Sequence, residues 1–164
     1  MDPILKNLIR VGRVSSINPG ACAARVAFED KSNVVSYELP ILVRGSLETK
    51  DYWMPKPGEH VLCLFLPTGN AQGFILGAFF SESDKPPVAD GNKRHIAFPD
   101  GTVIEYDAAT HTLSIDAKGP INIAAAGDVN VIGDVVADGV SLKNHVHSGV
   151  TSGADNTGPP VGGA

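Results

Sequence analysis

Beyond Tyr106 the chain contains no aromatic residue, although 58 of its 164 positions still follow. The only leucines there are Leu113 and Leu142, and Gly, Ala, Val, Ile, Asp and Asn fill most of the rest. Large side chains supply most of the bulk of a globular core, so this third excludes a self-sufficient globular domain. It is thin, disordered, or completed by other chains. Basic charge is also scarce. Thirteen Lys and Arg stand against 18 Asp and Glu, a net charge of −5, and binding along a phosphate backbone needs clustered cations. No apolar run approaches the roughly 20 residues that cross a bilayer as a helix. The opening MDPILKNLIR lacks a basic start, a long apolar core and a small-residue cleavage site, so no secretory signal is expected. Cysteine is limited to Cys22 and Cys63. One pair does not make a disulfide framework, and two buried thiols in a reducing compartment is the expectation.

What is present reads almost wholly as strand and turn. Asp2 as a cap and Pro3 at a first helical position suit one short helical turn within residues 2–10. Five apolar strand-like runs follow: Ile9–Ile17, Ala23–Glu29, Val35–Val43, Glu59–Pro67 and Gln72–Phe80. Asn18-Pro19-Gly20, Pro55-Lys56-Pro57-Gly58 and Thr68-Gly69-Asn70 separate them as turns. Five short strands in about 70 residues suit a small closed barrel, of which the OB type is one. Trp53, Tyr37 and Phe65 are expected to be packing residues of this block. The polar, Pro-rich stretch from Ser81 to Gly91 reads as a linker. Past it, Arg94–Phe98 and Thr102–Tyr106 flank Pro99-Asp100-Gly101, a strong hairpin signal. A turn at Asp107–Thr110 leads to Thr112–Asp116.

From Leu113 to Gly139 every odd position is apolar or glycine, while Ser114, Asp116, Lys118, Asn122, Asp128, Asn130, Asp134 and Asp138 occupy even ones. That is the period of a strand with one buried face. Sustained over 27 residues, it far exceeds the usual strand and corresponds to about 90 Å if fully extended. No other apolar surface in the sequence is long enough to cover such a stripe, and a lone strand exposes its backbone edges. Several identical chains burying their stripes around one axis resolve both problems, and the small inward residues suit a narrow axis. After Gly139 the apolar positions Val140, Leu142 and Val146 are even, so the register flips there.

His145 and His147 are the candidate metal ligands. Residues i and i+2 of an extended segment face the same way. Two imidazoles are too few for a stable isolated site, but three chains supply six, which matches octahedral coordination. On ligand type alone iron, nickel, copper and zinc all remain open. Ser148 or nearby carbonyls are candidates to orient the rings. His60, His95 and His111 stand in contexts that suggest no metal site. The Gly/Pro-rich end, with Thr157-Gly158-Pro159-Pro160, reads as a compact cap folding back on the histidines. There is no nucleophile elbow, no HExxH and no convincing carboxylate pair, so no catalytic residue is assigned and a hydrolase is not expected.

Four segments carry a family resemblance: Trp53 through Val61, Gly73-Phe74-Ile75-Leu76-Gly77, Phe98 through Asp107, and His145-Val146-His147 with Gly158-Pro159-Pro160. In this order they resemble the baseplate assembly protein V, or tail-spike, family of contractile-tailed phages and phage-tail-like bacteriocins. The resemblance implies an all-β chain: an N-terminal arm at 1–8, an OB-fold at 9–80, a linker at 81–94, an intertwined trimeric β-helix at 95–140 and a metal-capped apex at 141–164. It implies a homotrimer with one iron ion held at the apex by His145 and His147 of three chains. It also implies docking of the OB end on the tail hub, a place at the tip of the virion's baseplate after assembly in the host cytoplasm, and passage through the bacterial outer membrane on sheath contraction. No nucleic-acid partner is expected. The alternative is an OB-fold oligonucleotide-binding module with an oligomerising tail.

Overall fold

The structure, a computed structural model, describes residues 7–67, 72–151 and 153. Asp2 and Pro3, the Thr68-Gly69-Asn70 turn and the 157–160 segment lie outside the described residues. Asn7 and Leu8 are helical, and strand begins at Ile9.

The alternation of small and branched residues sets up a first sheet from β1 (Ile9–Asn18), β2 (Ala23–Phe28), β3 (Val34–Val35), β4 (Leu39–Pro40), β5 (His60–Phe65) and β6 (Gly73–Ala78). Its order is β3-β2-β1-β5-β6, with β4 also on β2. Four of the five expected runs are strands with nearly the expected bounds. A 3₁₀ turn at Pro19–Ala21 joins the first two, its end marked by Cys22 in the left-handed region (φ 49°). The register of β1 on β2 slips between Val14 and Ser16, and that of β5 on β6 between Leu62 and Cys63. Such bulges bend and twist a strand. Ile41, just past β4, forms a parallel bridge with Ile75 of β6, and the Leu42 N–H donates to the Ile75 carbonyl at 2.8 Å.

The run from Val35 to Val43 departs from expectation. It is strand only at Val34–Val35 and Leu39–Pro40. Ser36 interrupts it, because its hydroxyl accepts the Val26 N–H at 3.0 Å while its own N–H donates to the Val26 carbonyl at 2.9 Å. A side chain here takes a place that a backbone carbonyl holds in a regular ladder.

The inward residues form one core: Val14, Ala24, Val26, Phe28, Leu39, Ile41, Val61, Cys63 and Ile75, with Ile17, Cys22, Trp53, Met54 and Phe65 packed against it. Phe28 and Phe65 meet edge to face with centroids 5.7 Å apart. Trp53 and Phe65 are therefore packing residues, and the Trp53 indole N–H donates to the Leu42 carbonyl at 3.2 Å. Tyr37 is a correction, since it is 74% exposed and packs on nothing in the core. It follows the Ser36 interruption, which takes it out of the strand alternation. Both cysteines are free; Cys63 is buried and Cys22 half-buried. Burial pushes the Cys63 thiol up to about 11.

A second sheet of three antiparallel strands follows: β7 (Lys93–Ala97), β8 (Val103–Asp107) and β9 (Thr112–Asp116). The β7–β8 turn is the expected one. The Phe98 N–H donates to the Thr102 carbonyl at 2.9 Å, and Gly101 takes φ +88°, which glycine adopts without strain. Asp100 accepts both the N–H (2.9 Å) and the hydroxyl (3.0 Å) of Thr102, and these bonds hold its carboxyl below the usual range.

The chain divides into two units, 1–118 and 119–164. In the second unit strand is limited, among the described residues, to β10 (Val136–Ala137) and β11 (Val140–Ser141). The expected continuous strand across 113–139 is thus strand only at its two ends within one chain. The physical reason is the lack of a neighbour: a ladder needs a second edge, and none of the described residues of this chain supplies one between 117 and 135. No described residue of this unit is buried. Ile121, Ile123, Val129, Val131 and Val135 all stand exposed, Ile123 by 76%.

Candidate metal centre

The histidine pair follows a hairpin. Val136 pairs with Ser141 and Ala137 with Val140, leaving Asp138 and Gly139 as a two-residue loop. Both have positive φ, 48° and 83°, which is the type I′ turn that matches the twist of a hairpin. This reversal is the physical basis of the flip in apolar register after Gly139.

Beyond the hairpin the backbone is held by one carboxylate. Asp134 accepts the Ser141 hydroxyl at 2.5 Å through Oδ2 and the Lys143 N–H at 3.1 Å through Oδ1. Those two bonds, Ser141 first, hold its carboxyl below the usual range. Ser141 Oγ in turn accepts the Asn144 N–H at 2.9 Å, and the Leu142 N–H donates to the Val135 carbonyl at 2.8 Å. The Ser141 carbonyl accepts the His145 N–H at 3.1 Å.

On this base the imidazole of His145 sits with Nδ1 at 3.0 Å from the Ser141 carbonyl and 3.1 Å from the Leu142 carbonyl. A carbonyl only accepts, so Nδ1 carries the proton, and in the neutral ring the free lone pair is on Nε2. The rings of His145 and His147 are brought together, their centroids 5.1 Å apart and their planes nearly perpendicular at 82°. Of the groups expected to orient a ring, Ser148 or nearby carbonyls, the described contacts to His145 come from the carbonyls of Ser141 and Leu142.

The donor set fits a share in a metal site. Two imidazoles, one with its ligating nitrogen left free by a carbonyl on the other, are a common transition-metal arrangement. Among the described residues of one chain no three His, Cys, Asp or Glu side chains gather, so these two make a site only with donors from elsewhere. The other histidines are otherwise engaged. His60 Nε2 accepts from Arg13 at 3.1 Å, and His95 Nδ1 lies 2.8 Å from Glu105. His111 stands in a turn with φ +55°.

Sequence reasoning missed Asp134, Ser141 and the Asp138–Gly139 turn. The turn had a usable signal, since the same Asp-Gly dipeptide marks the β7–β8 hairpin. It also missed the cluster on β7 and β8 where Glu105 meets Lys93 Nζ and His95 Nδ1, both at 2.8 Å. Its members lie 10 and 12 residues apart, and only the hairpin register brings them together.

Two comparisons bear on this arrangement. The GpV Apex motif family matches residues 139–161, a segment that starts on the second turn residue and contains both histidines. Over 134 residues the chain is 28% identical to the spike protein of Escherichia phage P2, across 80% of this chain and 61% of that protein. The chain thus spans about three fifths of the length of that relative. Fold and site together define an all-β chain whose motif-matching segment carries His145 and His147. The chain is similar to the spike protein of phage P2 over most of its length and carries a segment that matches the GpV Apex motif.

Proposed function

We propose that this chain is the spike of a contractile phage tail or tail-like particle, a structural component of the virion tail with no catalytic role. The observation that carries the reading is the run from Leu113 to Gly139, whose odd positions are all apolar or glycine yet none of whose side chains is buried within one chain. Three copies intertwined as a β-helix bury that stripe and give each strand the edges it lacks. Such a shaft transmits axial force, because no chain unzips without the others.

The first sheet serves as an OB-type barrel. The reading is supported by β4, which pairs with β2 while its continuation at Ile41 bridges β6, so that the hydrogen bonding returns on itself. This end docks on the baseplate hub. The apex enters the bacterial outer membrane when the sheath contracts. There His145 and His147 of three chains hold one iron ion, which ties the three apex segments together. The match to the apex motif and the free Nε2 of His145 support the site; the choice of iron follows the family resemblance.

Light scattering on the purified chain, combined with metal analysis, tests the proposal. The expected mass is three times the 17.1 kDa chain, with one metal ion per three chains. A folded molecule with the mass of a single chain overturns it. The oligonucleotide-binding alternative draws on the exposed Tyr37 and Tyr52, but the net charge of −5 opposes it. Titration of Trp53 fluorescence with single-stranded DNA distinguishes the two, and no change is expected.

A further inference from the structure

Asp134 lies five residues before the segment that matches the apex motif, yet the hydrogen bonds that lead to the His145 ring begin at its carboxylate. Oδ2 takes the Ser141 hydroxyl and Oδ1 the Lys143 N–H. With its proton given to Asp134, Ser141 Oγ is left to accept the Asn144 N–H. The strand end and the first turn after β11 are thereby pinned to one side chain across the hairpin. That turn presents the Ser141 and Leu142 carbonyls to His145 Nδ1. A carboxylate is suited to this task. It accepts two hydrogen bonds at once with two oxygens, and bonds to an ionised acceptor are the stronger kind.

Without Asp134 the bond from the Leu142 N–H to the Val135 carbonyl remains, but no other described contact ties Ser141 Oγ or the Lys143 N–H back across the hairpin. The hairpin itself has only two residues in each strand, and a ribbon that short does not hold a turn in place by its ladder alone. Orientation of the His145 ring therefore depends on the carboxylate eleven residues upstream. We infer that Asp134, acting through Ser141, is a positioning residue that fixes the His145 ring with Nδ1 protonated and Nε2 free to bind a transition-metal ion. This rests on the metal-site reading above. It adds residues outside the histidine pair and names the ligating atom. Removal of groups that orient a ligating histidine typically weakens metal binding 10- to 100-fold.

The test uses the full chain, with Asp134→Ala, Asp134→Asn and Ser141→Ala. Nitrogen NMR of the labelled histidines in the metal-free protein reads the His145 tautomer, and competition with a chelator reads the affinity for Ni²⁺. In the wild type the Nδ1–H form is expected to dominate. In Asp134→Ala and Ser141→Ala that preference is lost, and Ni²⁺ binding weakens about 10- to 100-fold at unchanged particle mass. Asp134→Asn, whose amide oxygen still accepts, recovers most of the affinity. If Asp134→Ala loses the native mass, Ser141→Ala carries the test, because it leaves the Asp134–Lys143 bond in place. Wild-type tautomer and affinity in Ser141→Ala and Asp134→Ala overturn this inference alone. A wild-type chain that takes up no Ni²⁺ overturns the metal-site reading as well.

Discussion

The guanidinium of Arg10 lies over the ring of Phe28, with its central carbon 3.7 Å from the ring centroid. The Arg10 side chain is only 10% exposed, and its terminal nitrogen pairs with Asp30 at 2.6 Å while Asp30 itself is 64% exposed. The stem and plane of this arginine thus cover a core aromatic, and the ion pair is peripheral. Stacking of this kind contributes about 0.5–2 kcal/mol, and an exposed pair contributes about 0–1 kcal/mol. Arg10→Ala is expected to lower the unfolding free energy of the first sheet by about 1–2 kcal/mol, measured by denaturant titration. Asp30→Ala is expected to cost less than about 0.5 kcal/mol. Equal losses in the two variants contradict this assignment.

Gly12 on β1 stands where no side chain fits. A Cβ there would come within 2.5 Å of Val26 Cγ1 and 2.6 Å of the Ala27 carbonyl oxygen. The oxygen belongs to a paired strand and cannot swing away. Gly12→Ala is expected to cost about 1–3 kcal/mol by overpacking, read as a fall in melting temperature. An unchanged melting curve means that the two strands separate more freely than their register implies.

The shaft reading makes a strong prediction for Ile123. As an exposed residue of a lone chain, its replacement by Asp changes little. On a threefold axis the same change places three carboxylates together in an apolar interior, which costs far more than the roughly 1.5–3 kcal/mol of the lost side chain. Ile123→Asp is expected to abolish the trimer mass in light scattering while Trp53 fluorescence keeps its native spectrum. A variant that stays trimeric excludes Ile123 from the axis.

On the proposed reading, His145→Ala combined with His147→Ala abolishes metal binding and leaves a trimer mass unchanged, because the proposed shaft stripe contains neither residue. Elemental analysis of the double variant checks this. Metal retained at the wild-type ratio refutes the assignment of the apex ligands.

Glu105 makes the second sheet sensitive to acid. Its bonds to Lys93 and then His95 hold its carboxyl below the ordinary 4.5, and Glu105 in turn raises Lys93. A lowered carboxylate stabilises the fold above its unfolded-state value, and that contribution disappears as pH falls through the lower folded value. Hydrogen exchange of the β7 and β8 amides is therefore expected to accelerate as pH drops below about 4.5, after correction for the intrinsic rate. In Glu105→Gln that acid step should shrink. An equally large step in the variant assigns the acid sensitivity to another group.

Much of this was legible from the residues because it is local. Four strands of the first sheet follow directly from apolar runs between turn formers. Asp100-Gly101 marks its hairpin because few residues tolerate positive φ. The Ser36 interruption was not legible. A serine in an apolar run reads as a surface position of a strand, and only the approach of Val26 turns its hydroxyl into a backbone acceptor. Tyr37 was misread for the same reason. At the candidate site the two histidines stood out by their spacing, whereas Asp134 looked like one more polar residue of the stripe. Its role depends on the reversal at Asp138–Gly139, which carries Ser141 and Lys143 back to it.

The sequence alone determined that the chain is built of strands, that its last third is too thin to enclose a core, and that His145 and His147 lie two residues apart. Those properties depend on side-chain size, alternation and backbone preference, which are carried by each residue and its neighbours. The tertiary structure decided which strand lies beside which, that Arg10 covers Phe28, that Tyr37 faces solvent, and that Glu105 meets Lys93 and His95. Such choices depend on distances between residues far apart in the chain, and those distances exist only once the turns have closed and the registers are set.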